Sequence, residues 1–108
     1  MSNLRNHVQL LGHLGNTPEV TTLESGRKMA KFSLATNEFY TNKDGDKIQN
    51  TDWHNIIAWE RMAEIAEDYL SKGREVIVVG KLIYNSYETE EGEKKYFTQI
   101  QANEIQML

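Results

Sequence analysis

The chain contains no cysteine, a single proline and no apolar run longer than four residues, as at 76–79. The absence of cysteine excludes disulfides and thiolate metal ligands, and four apolar residues are far too few to span a bilayer. The first residues show no apolar stretch typical of a secretion signal, so we expect a cytoplasmic location without membrane attachment. A length of 108 residues accommodates one domain with a small core.

Basic residues are also scarce. The 12 lysines and arginines are outnumbered by 16 aspartates and glutamates, which gives a net charge of -4. Nucleic-acid binders are usually basic, so composition alone does not indicate one. The excess acid lies in residues 60–72 and 88–93, and the rest of the chain is mildly positive.

Five segments have the composition of strands: residues 7–14, 28–37, 48–59, 74–87 and 95–106. Between the third and fourth, apolar residues recur at helical spacing at Met62, Ile65, Ala66, Tyr69 and Leu70. Gly80 interrupts the fourth strand and predicts a bulge or a sharp bend there. This order predicts an all-β fold with one helix, the OB-fold: a five-stranded Greek-key barrel with a helix between strands 3 and 4. We expect one domain over residues 1–108.

The local sequences add a family resemblance that covers the chain from end to end. They are NHVQLLGHLG at 6–15, PEV at 18–20, FSLAT at 32–36, TDWH at 51–54, AEI at 63–65, YLSKG at 69–73 and VGKL at 79–82. At this spacing they resemble the bacterial single-stranded DNA-binding proteins. The resemblance implies sequence-independent binding and protection of single-stranded DNA in replication, repair and recombination. It also implies location with the nucleoid and assembly as a homotetramer.

The aromatic residues are the candidates for base stacking. Trp53 and Trp59 are six residues apart in one extended segment and should share a face. Tyr40 lies beside one hairpin tip, and Tyr84 and Tyr87 lie at the base of the other. Aromatic planes bind bases without reading their identity, although tryptophans and tyrosines in a small barrel can equally belong to the core. The resemblance implies stacking at Tyr40, Trp53, Trp59 and Tyr87. Well-known members carry tryptophan where Tyr40 and Tyr87 stand, and phenylalanine where Trp59 stands.

Basic side chains are the candidates for phosphate contacts, which supply the sequence-independent part of binding. The resemblance maps such contacts onto Arg5, Lys43, Arg61 and Lys72. Asn85 and Ser86 stand where family members often carry bases, so binding should be more salt-tolerant than usual. His54 lies on the strand face opposite Trp53, and the resemblance implies that it packs at a subunit interface.

No catalytic, metal or cofactor site is expected. His7 and His13 have no carboxylate at a ligand spacing, and residues 44–46 form a turn without the further oxygen ligands of a calcium loop. We therefore expect no enzymatic activity, since a nuclease would need clustered acids around a metal. The alternative within the same fold is a primosome-type accessory or protein-interaction module, which the acidic charge favours.

Many members of the family continue beyond the barrel into a flexible tail with an acidic tip that recruits repair and replication proteins. This chain stops at residues 106–108, so we expect the acidic tail to be absent. Tail-mediated protein partners are therefore not carried over from the resemblance.

Overall fold

The computed structural model describes residues 4–108. Six strands and one helix follow each other along the chain: β1 (Val8–Leu14), β2 (Glu19–Thr22), β3 (Lys28–Thr41), β4 (Lys47–Trp59), α1 (Arg61–Tyr69), β5 (Glu75–Glu88) and β6 (Lys94–Met107). Among the described residues, no helix is both long enough and apolar enough to cross a membrane.

Five of the strands close into a barrel. The sheet runs β1-β5-β6-β4-β3, and a second pairing between β1 and β3 joins its two ends. All neighbours are antiparallel except β4 and β6, which meet in parallel over a short stretch at Ile56–Ile100 and Ile57–Gln101. The helix lies between the third and fourth barrel strands, as in the OB-fold that the sequence predicts.

The short strand β2 is absent from the sequence-based assignment, which gave three strands before the helix. β2 follows Pro18 and pairs with the first four residues of β3, from Glu19–Lys31 to Thr22–Lys28. Four residues with little apolar alternation give no strand signal of their own. Pairing with β3 therefore decides their conformation.

The core fills the barrel with inward-facing side chains from β1, β3, β4, β5 and β6, and α1 covers it. Alternating residues of β3 and β4 supply its centre, and the helix contributes the fully buried Ala63 and Ala66. Its buried members are Leu14, Ala30, Phe32, Leu34, Ile56, Ala58, Ala63, Ala66, Leu70, Val76, Val78, Ile100 and Ala102.

The expected irregularity at Gly80 is present. The register between β5 and β6 shifts between Val79 and Gly80, which is a β-bulge. A Cβ at Gly80 would overlap the carbonyl oxygen of Gln101 on the neighbouring strand. Glycine is therefore required here by the close approach of two backbones.

Two long hairpins extend past the closed part of the barrel. The β3–β4 ladder continues to the pair Thr41–Lys47, and the β5–β6 ladder continues to Glu88–Lys94. Residues 37–47 and 84–96 are mostly exposed. The candidate stacking residues lie on these hairpins and on the barrel surface between them.

Candidate nucleic-acid interface

The two tryptophans lie on one face of β4, as the sequence analysis expected. β4 pairs with β3 without a break in register from Lys47 to Trp59, so side chains alternate strictly. His54, Ile56 and Ala58 point towards the barrel interior. Trp53 and Trp59 point outwards.

Trp53 forms an open aromatic surface beside β1. Its side chain is 62% exposed. A Cβ at Gly15 would collide with Cζ3 of the indole and would lie 2.7 Å from the Ser33 hydroxyl, so the ring lies against the Gly15 backbone. Asn16 fixes this corner, since its Oδ1 accepts hydrogen bonds from the Ser33 amide and hydroxyl at 2.9 and 2.8 Å. Trp53 is thus held in place without being part of the core.

Trp59 is only partly exposed, and a cation lies over it. Cζ of Arg27 is 4.4 Å from the centre of the indole ring. Nε of Arg27 donates a hydrogen bond to Glu60 Oε1 at 2.7 Å. Nothing in the sequence around Arg27 suggested this role, because the contact joins the β2–β3 turn to the end of β4.

Tyr40 and its neighbour Phe39 point to opposite faces of the β3–β4 hairpin. Phe39 shares its strand face with Ala35, the ladder partner of Trp53, whereas Tyr40 pairs with Ile48 on the other face. Both rings are at least half exposed, and Nζ of Lys47 lies 5.1 Å from the Phe39 ring. On the hairpin extension both faces meet solvent, and Phe39 is the aromatic on the Trp53 side.

The β5–β6 hairpin separates the other two tyrosines in the same way. Tyr87 packs against Phe97, with ring centres 6.0 Å apart and planes at 50°. Tyr84, which is 73% exposed, lies on the opposite face, next to the equally exposed Tyr96. Phe97 and Tyr96 were not among the stacking candidates predicted from the sequence, although both lie in a strand of clear alternation.

A polar cleft connects the outer faces of β4 and β6. It measures about 280 Å³ and brings Gln99, on the strand face of Phe97, next to Asn55 and Ser33. Oε1 of Gln99 accepts a hydrogen bond from Asn85 Nδ2 at 2.6 Å. Trp53 shares its strand face with Asn55, and Phe97 shares its strand face with Gln99, so the cleft lies on the faces that carry these rings.

The four candidate phosphate-binding residues are spread over the molecule. Lys43 lies in the turn between β3 and β4, and Arg61 begins α1 two residues after Trp59. The amide of Lys72, in the turn after the helix, donates to Thr17 Oγ1 at 3.4 Å. Arg5 precedes β1. All four are exposed. Arg61 lies close in sequence to Trp59, and Lys43 lies in the hairpin turn next to Tyr40.

Ion pairs engage part of the basic charge on the helix side. Nζ of Lys28 donates to Glu67 Oε1 at 2.8 Å, and this hydrogen bond raises the pKa of Lys28 above its ordinary value of 10.5. Glu67 and its acidic neighbours Glu64 and Asp68 lie on α1. The acidic segment at 60–72 thus forms an exposed helix surface, and Lys28 of β3 neutralises part of its negative charge.

His54 is half-buried where β4 leaves the closed barrel. Its Nε2 is 2.9 Å from Thr36 Oγ1, within hydrogen-bond distance. The ring borders a cleft of about 180 Å³ that also contacts Trp53, Leu82 and Thr98. Within residues 4–108, no three histidines or carboxylates come together in a group that could hold a metal ion.

The chain is similar to known single-stranded DNA-binding proteins over almost its whole length. The family model described as the single-strand binding protein family matches residues 5–108. Single-stranded DNA-binding protein 1 of Chlorobaculum tepidum is 42% identical over 104 residues, which cover 95% of this chain and 64% of the relative. The single-stranded DNA-binding protein of Xanthomonas axonopodis pv. citri is 41% identical over 95% of this chain and 57% of its own length. The chain therefore spans about three fifths of the length of these curated relatives.

Two solved structures have the same fold. A complex of the Plasmodium falciparum SSB with single-stranded DNA superimposes with a TM-score of 0.88 at 32% identity, covering all of this chain and 98% of that one. A deletion mutant of the single-stranded DNA binding protein from Thermus aquaticus gives 0.82 at 31% identity over 95% of this chain and 50% of its own.

Proposed function

The chain belongs to the single-strand binding protein family, and from this membership we propose that it binds and protects single-stranded DNA in replication, repair and recombination. The observation that carries the proposal is Trp53, a large aromatic side chain held on the Gly15 backbone with most of its surface open to solvent. An exposed indole of this kind stacks any base, because every base has a π face.

The outer surface supports a path for more than one base. Trp53 stands on β4 and the Tyr87–Phe97 pair on the β5–β6 hairpin, and the cleft with Asn55 and Gln99 lies on the strand faces of Trp53 and Phe97. Tyr40 and Tyr84 lie on the second faces of the two hairpins, so we propose that they contact DNA that wraps around the hairpin edges. Trp59 stacks at the other end of β4.

Phosphate contacts complete the proposed interface. We assign them to Arg5, Lys43, Arg61 and Lys72, all at exposed positions. Because the chain as a whole is acidic, stacking should supply a larger share of the affinity than charge does. We therefore propose binding that weakens only modestly with salt, without sequence preference and without catalysis.

We further propose that the protein acts as a homotetramer in the cytoplasm, associated with the nucleoid. Leu11 is 53% exposed on the outer face of β1 and pairs in the sheet with Ile77, which leaves an apolar surface for a second copy. His54, at the open end of the barrel, is proposed to pack at a subunit contact. Linking several binding surfaces to one strand raises the overall avidity without new contacts.

Fluorescence titration tests the DNA-binding proposal. Oligothymidine should quench the emission of Trp53 and Trp59 strongly, whereas duplex DNA of equal length should quench it weakly. An equal response to both, or no response at physiological salt, would contradict the proposal. A protein that binds no DNA would instead support the alternative function, a protein-interaction module, which its acidic composition favours.

A further inference from the structure

Arg27 is placed over Trp59 by the fold rather than by its neighbours in sequence. It closes the β2–β3 turn, where the Leu23 amide donates to its carbonyl at 2.8 Å. Its guanidinium covers the indole of Trp59 at 4.4 Å, and its Nε is bound by the Glu60 carboxylate at 2.7 Å. Both side chains of this ion pair are about half exposed. The cluster therefore faces solvent at the same end of β4 as a candidate stacking ring.

The backbone of Glu60 is unusual. Its φ of 54° and ψ of -118° make it the single non-glycine residue with positive φ among residues 4–108. Its amide donates to the Lys28 carbonyl at 2.9 Å, which fixes this conformation between β4 and α1. Glycine would adopt the same angles without strain. A side chain other than glycine at such a position costs backbone strain, and such strain is concentrated at functional sites.

Helix capping does not explain the Glu60 side chain. Glu60 occupies the N-cap position of α1, yet its side chain makes no capping hydrogen bond. Its carboxylate contacts Arg27 instead. The Arg27 guanidinium donates one hydrogen bond, from Nε, so its terminal amino groups donate no hydrogen bond within residues 4–108. An arginine stacked on an indole with free terminal groups has the donor geometry that binds phosphate.

We propose that Arg27 binds a backbone phosphate beside the base that stacks on Trp59, and that Glu60 competes with this phosphate for Arg27. This inference rests on the proposed single-stranded DNA binding. In the free protein the carboxylate neutralises the guanidinium and holds it over the ring. When DNA binds, a phosphate takes over the guanidinium and draws it off the ring face, where the base stacks. The carboxylate, repelled by the phosphate, turns to solvent.

The competition has a measurable electrostatic consequence. A phosphate neutralised by a free cation releases counterions and steepens the salt dependence of binding by about 0.7 per contact on single strands. At Arg27 this counterion release is offset, because the Glu60 carboxylate, once it has left Arg27, attracts a cation from solution. Removing the carboxylate charge should therefore raise both the affinity and its salt dependence.

Glu60→Gln tests the proposal, because it keeps the side-chain size and removes the charge. Labelled oligothymidine is titrated with each variant between low and high salt, and folding is checked by thermal melting. Glu60→Gln should bind roughly 2- to 5-fold more tightly at low salt, the effect of one exposed ion pair, and its salt slope should steepen by about 0.7. Arg27→Gln should weaken binding by a similar factor, and adding Glu60→Gln to it should bring no gain.

Glu67→Gln is the matched control, because it removes one carboxylate from the other exposed ion pair at this end, that with Lys28. The proposal is overturned if Glu60→Gln binds no more tightly than wild type or Glu67→Gln, or if its gain persists without Arg27. Should Glu60→Gln fold poorly, Glu60→Gly gives the same test with a relaxed backbone, and unchanged affinity there also overturns the proposal. Wild-type protein that fails to bind the oligonucleotide would instead contradict the proposed function.

Discussion

Replacing Trp53 by alanine separates a stacking role from a core role. The indole is 62% exposed, so a little over a third of its surface is covered. For a side chain that buries up to about 150–250 Å² when fully enclosed, this amounts to about 60–95 Å². At about 25 cal/mol per Å², the loss of this burial costs at most about 1.5–2.4 kcal/mol of stability. A tryptophan in the core would cost about 3–5 kcal/mol.

The loss in DNA affinity should be of similar size. One base stacked on an aromatic ring contributes roughly 1–3 kcal/mol, so Trp53→Ala should weaken oligothymidine binding roughly 5- to 150-fold. Denaturant unfolding and fluorescence anisotropy of a labelled oligonucleotide measure the two effects on one preparation. Ile56→Ala, at a position 1% exposed, is the reference for a core truncation and should cost about 2–5 kcal/mol of stability.

Gly15→Ala extends the test without removing the ring. The added methyl group would overlap Trp53 Cζ3, so the indole must move from its place against the Gly15 backbone. Affinity should fall, and the same substitution should have little further effect on affinity in the Trp53→Ala background, because the two residues act through one contact. A Trp53→Ala protein with unchanged affinity, or one that loses 3–5 kcal/mol of stability, would refute the assignment of Trp53 to base stacking.

Three further predictions concern stability and assembly. Gly80→Ala should destabilise the barrel by about 1–3 kcal/mol or more in denaturant unfolding, since its Cβ would overlap the Gln101 backbone and no side-chain rotation relieves this; an unchanged midpoint would contradict the close approach. The Lys28–Glu67 hydrogen bond raises the pKa of Lys28, so its contribution to stability is complete below pH 10.5 and is lost as the pH rises through the raised value. Glu67→Gln should remove this alkaline dependence from melting curves, and a dependence that persists would trace to another group. His54→Tyr should shift a tetramer towards monomers on dilution in light scattering while monomers still bind short oligonucleotides; a mutant that stays tetrameric, or a wild-type monomer at micromolar concentration, would contradict the subunit role.

Local pattern was sufficient for most of the fold. Alternating apolar residues and a helical stripe at Met62–Ile65–Ala66 placed the five barrel strands and the helix close to their observed bounds. Gly80 indicated the break in register between β5 and β6, and strand alternation placed both tryptophans on one face of β4. These features depend on residues near each other in the chain, whose spacing directly sets which face a side chain occupies.

Contacts between distant segments were decided by tertiary structure alone. The strand β2 exists because β3 pairs with it, and Trp53 is held open because Gly15, just after β1, leaves room for its ring. Arg27 meets Trp59 and Glu60 only because the β2–β3 turn packs against the end of β4. The sequence by itself therefore determined the family, the order of elements and the candidate aromatics. Contacts between segments distant in sequence decide which aromatic faces stay exposed and which cation lies over them, and a local sequence pattern does not determine such contacts.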